Sequence, residues 1–186
     1  MAACGSYYYL TEPVAKVVGN ALKAALPEWW DRYMNAFHAG AWLPKDPGPF
    51  LARAIIYKLQ GRLHKDRHDM GPSVSFPVGE YDGGEMLLPQ LRAKLRYAPG
   101  DMCLFFSSFI YHKVAKFYPK TANAAAHSQG IAPGRIGTVF FFPRWSYRTL
   151  RNKPPGWGYK TGFGINTNMF ANDEESDQDE SDDEFE

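Results

Sequence analysis

Apolar positions recur at helical spacing early in the chain and at strand spacing later. Between residues 10 and 39, Val14, Val17, Val18, Leu22 and Leu26 return every three or four positions, which predicts a helix that buries one face. Thr11 is placed to cap it and Pro13 to occupy its first turn. Pro27 lacks the amide hydrogen that a helix interior uses, so the helix should end or kink there. A shorter helix carrying Trp29, Trp30, Tyr33, Met34 and Phe37 should follow. Residues 40–49, GAWLPKDPGP, read as a loop.

From about residue 50 the pattern becomes short strands broken by turns. Strands are expected over 52–59, 73–78, 85–88, 94–97, 102–106, 109–115 and 135–142, with tight turns at Asp82-Gly83-Gly84 and Pro99-Gly100-Asp101. Many short strands at close spacing predict a barrel or sandwich. Residues 118–134 are expected to form a long loop, and 143–171 irregular chain. The resulting division is an N-terminal helical region over 1–49, a β core over 50–143, an irregular extension over 144–171 and a disordered acidic tail over 172–186. A length of 186 residues, 45% hydrophobic, suits one domain with a real core.

Charge sharpens this picture. Residues 173–186, DEESDQDESDDEFE, hold 10 of the 20 acidic residues and no Lys or Arg. The remaining 21 basic and 10 acidic residues give the body a net charge of +11. A basic body suits a polyanion such as DNA or RNA, and the tail could compete with that polyanion or serve only solubility. Cys4 and Cys103 form neither a metal-binding pair nor a disulfide framework, which points to a reducing, intracellular setting. No signal peptide is expected from MAACGSYYYL, and no apolar run approaches the length of a membrane span.

The chemistry concentrates in two places. Residues i and i+2 of an extended segment point the same way, so His64 and Asp66 can face one metal ion. His112 stands in the apolar segment FIYHKVA, sharing a face with Ile110 and Val114. Two imidazoles and one carboxylate leave open positions on an octahedral ion, the donor set of non-haem Fe(II) oxygenases. Each piece alone has a plainer reading, a chance His-x-Asp or a hydrogen-bonded core histidine. Arg135 opens RIGTVFFF and shares a face with Gly137 and Val139. An arginine aimed into an aromatic interior needs an anion, and its planar fork suits a carboxylate. A dicarboxylate such as 2-oxoglutarate could chelate iron at one end and meet Arg135 at the other. The plainer alternative is a surface arginine at the strand entrance.

The ordered segments HKDRHD, GEYDGGEMLLPQL, LRYAPGDMCLFFSSFIYHKV and RIGTVFFF resemble the 2-oxoglutarate/Fe(II) dioxygenase superfamily. They are especially similar to its fungal branch related to the ten-eleven translocation and J-binding protein dioxygenases. The branch pattern falls here on His64, Asp66, Asp69, Gly83, Gly84, Leu88, Pro89, Tyr97, Pro99, Gly100, Asp101, His112, Arg135, Val139, Phe140 and Phe141, within roughly residues 50–143. The resemblance implies a mainly β fold with N-terminal helices around a double-stranded β-helix (jelly-roll) core. It implies His64, Asp66 and His112 as ligands of Fe(II), with Arg135 holding the cosubstrate 2-oxoglutarate. Many members carry Ser two residues after that arginine. Here the position is Gly137, so a second hydrogen bond to the carboxylate must come from elsewhere, and the insert between His112 and Arg135 is long.

The activity so implied is oxidative hydroxylation of a methylated nucleobase, and the nucleus fits such a substrate. Two other expectations stand beside it: the same chemistry on a protein side chain or small molecule, and a binding module without turnover. His68 is expected to be a loop residue. Trp145, Tyr147, Arg148 and Arg151 could either stack on bases and pair with phosphates or cover the core edge.

Overall fold

In the computed structural model, which describes residues 2–43, 45–120, 128, 130 and 133–160, two helices precede eight strands and a third helix follows them. The acidic tail lies outside the described residues, as does most of the chain over 121–132.

Helix α1 runs Ala2–Ala25 and α2 runs Pro27–Gly40. The break at Leu26 follows from Pro27, which sits in the first turn of α2, where its missing N–H costs nothing. α1 begins earlier than the pattern predicts. Its first turns have tertiary partners: Tyr8 packs edge-on against Trp42 and lies under the Arg53 guanidinium at 4.1 Å. Thr11 is no cap, because its hydroxyl donates to the Tyr7 carbonyl one turn back inside the helix. The apolar stripe also divides, with Val18 and Leu22 buried and Val14 and Val17 exposed.

The larger sheet has the order β1 (Ala52–Tyr57), β8 (Gly134–Phe141), β2 (Ser73–Gly83), β5 (Cys103–Phe105), with β7 (Phe117–Pro119) pairing the far end of β2. The smaller sheet has the order β4 (Ala93–Leu95), β3 (Met86–Leu88), β6 (Lys113–Val114). Every ladder between the described strands is antiparallel, so residues in register share a face. Phe140 stands between Arg53 and Val74 and faces the helices, where Phe50, Phe142 and Tyr33 complete the core. Val139 stands between Ala54 and Ser75 and faces the other way, into a cavity that the smaller sheet closes with Met86 and Val114. This is a double-stranded β-helix, mainly β, with its N-terminal helices against the outer face of the larger sheet.

The turn signals are realised. Gly83 and Gly84 both take positive φ, and a side chain at Gly83 would come within 2.5 Å of the Lys116 carbonyl. Three expectations change. Within 109–115 only Lys113–Val114 forms a strand, because the Phe109 and Ile110 amides turn back onto the Phe106 carbonyl. The loop expected over 118–134 is preceded and entered by β7. The stretch expected to be irregular after residue 143 opens with α3, Arg144–Leu150. Tyr147 and Leu150 of α3 are buried, and Tyr147 packs on Tyr33 and Phe142, so it covers the core and is not a nucleic-acid contact.

Tyr33 ties this core to the chain that leads out of the His64–Asp69 segment. Its hydroxyl bonds to the Met70 carbonyl and lies 3.0 Å from the Pro72 carbonyl. Tyr33→Phe should therefore cost about 1–3 kcal/mol, because carbonyls in the dry core lose their donor. Urea denaturation of the two proteins measures this, with the midpoint falling and the slope unchanged.

Candidate metal centre and its cavity

His64 and His112 form an isolated antiparallel pair, each donating its amide hydrogen to the other's carbonyl at 3.1 and 2.9 Å. Their side chains consequently leave the backbone on one face, with ring centroids 4.4 Å apart. Asp66 is placed by its own amide, which donates to the Ser107 carbonyl at 2.9 Å. Its two carboxylate oxygens lie 3.5 Å from His64 Nε2 and 3.5 Å from His112 Nε2. One donor atom from each of the three residues lies within 4.8 Å of the others.

The ring orientation is set from behind. His64 Nδ1 lies 2.7 Å from the Arg62 carbonyl and His112 Nδ1 lies 3.0 Å from the Ile110 carbonyl. A carbonyl can only accept, so in each ring Nδ1 carries a hydrogen, and Nε2 is the nitrogen turned toward Asp66 and free to meet a metal. Burial also pushes the His112 imidazole below the ordinary histidine range, only partly opposed by the Ile110 carbonyl and Asp66, which favours the neutral form that binds metal.

Asp69 and His68 stand outside this cluster. Asp69 is buried beside it, its amide donating to the Asp66 carbonyl and its carboxylate accepting from Ser107 Oγ at 3.2 Å. Burial, reinforced by the Asp66 charge, pushes the Asp69 carboxyl up to about 7. His68 is exposed, and its carbonyl accepts from the Arg144 amide at 2.7 Å, docking the start of α3 on the segment that carries the cluster.

The three residues open into a cavity of about 270 Å³ with mainly apolar walls, including Ile56, Phe105, Val139 and Phe141. Arg135 lines it too, and is only 5% exposed. Its guanidinium lies over Tyr97 at 5.2 Å and near Phe117 at 5.8 Å. It interacts with the Tyr81 hydroxyl, and among the described residues its Nε has no partner. Among the described residues no carboxylate comes within 4.0 Å of it. Gly137 gives this head group room, since a Cβ there would sit 3.3 Å from Arg135 Nη1.

Sequence reasoning overlooked Ser75. Tyr97 Oη donates to Ser75 Oγ at 2.7 Å inside the cavity, and the Tyr81 hydroxyl donates to the Tyr97 carbonyl at 2.8 Å. Burial pushes the Tyr97 phenol up to about 12, so it stays protonated. The available signal was the alternation in SVSFPV, which places Ser73 and Ser75 together on one side of β2.

No family model matches this sequence, and no curated protein matches it. Among solved structures, the chain is similar to NgTET1 in complex with 5mC DNA, with a TM-score of 0.51 at 18% identity, covering 77% of this chain and 50% of that one. It is also similar to OsALKBH1, with a TM-score of 0.45 at 22% identity, covering 70% of this chain and 63% of that one. The likeness to NgTET1 is one of fold, and this chain spans half of that chain's length.

A buried guanidinium with no carboxylate is a cost to the fold, and removing it tests whether the charge serves structure. Arg135→Met keeps the bulk of the side chain and relieves the desolvated charge. The ligand-free variant should be at least as stable as the parent, by up to about 2 kcal/mol in urea denaturation. A clear loss would mean that the charge is paired within the fold.

Proposed function

We propose that the protein is an Fe(II)- and 2-oxoglutarate-dependent dioxygenase in which His64, Asp66 and His112 hold the iron and Arg135 holds the far carboxylate of 2-oxoglutarate. The observation that carries this reading is the pairing, in one cavity, of a two-histidine, one-carboxylate cluster with a buried arginine that lacks an anion. The donor set fits: two neutral imidazoles and a carboxylate suit Fe(II) and leave positions for a chelating ligand and for oxygen. The sequence resemblance and the shared double-stranded β-helix point the same way.

When bound, iron and 2-oxoglutarate together supply the oxidising power, with decarboxylation to succinate and CO₂ as one oxygen atom passes to the substrate. The chain's own residues do the rest. The Arg62 and Ile110 carbonyls hold the imidazoles with Nε2 facing inward. The guanidinium of Arg135 neutralises and orients a carboxylate that would otherwise enter an apolar cavity at great cost. The apolar walls exclude water and so strengthen that pairing.

For substrate, the reading favours a methylated base in nucleic acid. Segment 58–68, which carries His64 and Asp66, also carries Lys58, Arg62, Lys65 and Arg67, and Asp66 is its sole acidic residue. Through the His68–Arg144 hydrogen bond this segment adjoins α3, whose Trp145 is exposed beneath the Arg148 guanidinium at 5.3 Å. Basic and aromatic groups on and next to the segment that carries the cluster suit phosphates and a displaced base, which must leave a duplex to reach a cavity. The structure of NgTET1 in complex with 5mC DNA supports this choice.

The decisive experiment is Fe(II)-dependent succinate release from 2-oxoglutarate, with and without DNA containing methylated cytosine. Stimulation by the methylated DNA is expected. Succinate without DNA stimulation would move the substrate to a protein side chain or small molecule, and no succinate would leave a binding module. His112→Ala should abolish metal binding in calorimetry, while Arg135→Met should keep it and lower 2-oxoglutarate affinity about tenfold to a hundredfold.

DNA affinity should fall steeply with salt, because each phosphate contact releases a counterion. Deleting residues 173–186 should raise it, most at low salt, if the acidic run competes for the basic surface. Equal affinities across a salt series would make the tail a passive solubiliser.

A further inference from the structure

Helix α1 turns one apolar stripe inward and a second one outward. Ala15, Val18 and Leu22 are buried in the main core. Tyr7, Leu10, Val14, Val17, Ala21 and Ala24 form the other stripe, stepping alternately by three and four residues. At roughly 100° per residue, it lies roughly a third of a turn around the axis from the buried stripe. Leu10 is 73% exposed, Val17 59% and Val14 40%. Ala24 is exposed too, and Tyr7 and Ala21 are half-buried.

Alternate steps of three and four are the heptad spacing by which one helix sets an apolar seam against another. The charged residues of α1 are Glu12, Lys16 and Lys23, and none stands on the seam or at the positions flanking it. Glu12 and Lys16 pair with each other at 2.7 Å, and the Lys23 ammonium lies over Trp30 at 5.5 Å. The seam therefore offers a polyanion no cation and suits another uncharged helix. It is also complementary to itself. Laid antiparallel on a copy about a two-fold axis, Tyr7 meets Ala24, Leu10 meets Ala21 and Val14 meets Val17, each contact occurring twice. Each large side chain then faces an alanine, with the valines at the centre. A parallel copy would crowd Tyr7 on Tyr7 and leave Ala24 loosely against Ala24, which close packing disfavours.

The energetics allow such a contact. Residues 7–24 of a helix span about 26 Å. A pair of helices touching over that length buries on the order of 1,000 Å², about the least that a specific interface needs. Because α1 is already folded against the sheet, no helix-nucleation cost opposes the pairing. The net charge of +1 leaves little long-range repulsion between copies.

We propose that the outer face of α1 is a self-association surface, on which a second copy of this chain packs its own α1 antiparallel along the Tyr7–Ala24 seam. The pairing buries Leu10, Val14 and Val17 and joins two chains into a weak, concentration-dependent dimer. It is independent of what the cavity binds.

Analytical ultracentrifugation of the full chain over a concentration series tests this. The average mass should rise from that of one chain toward that of two through the micromolar range. Val14→Glu should weaken association at least about a hundredfold, because the new carboxylate is buried without a partner. Val17→Lys alone should act likewise. Combining the two should restore the dimer, since antiparallel packing sets each new carboxylate beside a new ammonium. Parallel packing would set like charges together and restore nothing. Both positions are exposed, so dilute variants should unfold at the same temperature as the dilute parent. A parent that stays one chain at every concentration would leave the seam to some other partner and overturn the proposal. A dimer that survives both single substitutions, or a folded double variant that stays a single chain, would overturn it as well.

Discussion

The site depends on a pair of backbone hydrogen bonds, those exchanged between His64 and His112. They join segments far apart in sequence, and they fix more than proximity. In an antiparallel pair of this kind the two side chains must leave on the same face, so two imidazoles meet without a side-chain bond between them. Asp66 follows because residue i+2 of an extended segment returns to that face, and its amide is pinned to Ser107. The cluster is therefore set by main chain, and the carbonyls behind each Nδ1 turn the rings to suit.

Around this frame the protein distributes buried charge in two ways. Arg53 and Asp46 pair at 2.6 Å with both side chains almost inaccessible, and Tyr8 and Thr11 complete the surroundings of the guanidinium. That arginine takes its counter-charge from within the chain and anchors α1 to the sheet. Arg135 is as deeply placed yet meets aromatic faces, a tyrosine hydroxyl and a cavity. The two arginines differ in whether the described residues supply a counter-charge. A fold that leaves one guanidinium unmatched carries a cost that a ligand can remove, which links stability to binding.

Much of the site was legible because its chemistry is local or periodic. His-x-Asp needs only an extended segment to converge, and Arg135, Gly137 and Val139 need only the period of a strand to share a face. The exposed apolar residues of α1, the helix over Arg144–Leu150 and β7 were not legible for the same reason in reverse. Val14 and Val17 obey the helical period as well as Val18 and Leu22 do, and only the position of the sheet decides which pair is covered. Tyr147, beside arginines, reads equally as a base-stacking or a core-edge aromatic, and only the packing of Tyr33 and Phe142 around it decides. Ser75 was hidden by its polarity. A serine alternating with apolar residues reads as facing water, whereas here it faces a cavity and the apolar residues of the same strand face the helices.

By itself, then, the sequence determined the two N-terminal helices, most of the strands, the turns at Gly83, Gly84 and Gly100, and which residues could act as metal donors, because these follow from backbone sterics and side-chain chemistry within a few positions. The tertiary structure decided which donors meet. His112 reaches His64 through hydrogen bonds that close over strands β2 to β5, Asp69 is set aside from the cluster while Asp66 joins it, and Arg135 meets no carboxylate among the described residues. None of these is encoded at any one position, because each depends on where distant backbone groups find their hydrogen-bond partners once two sheets close on one cavity.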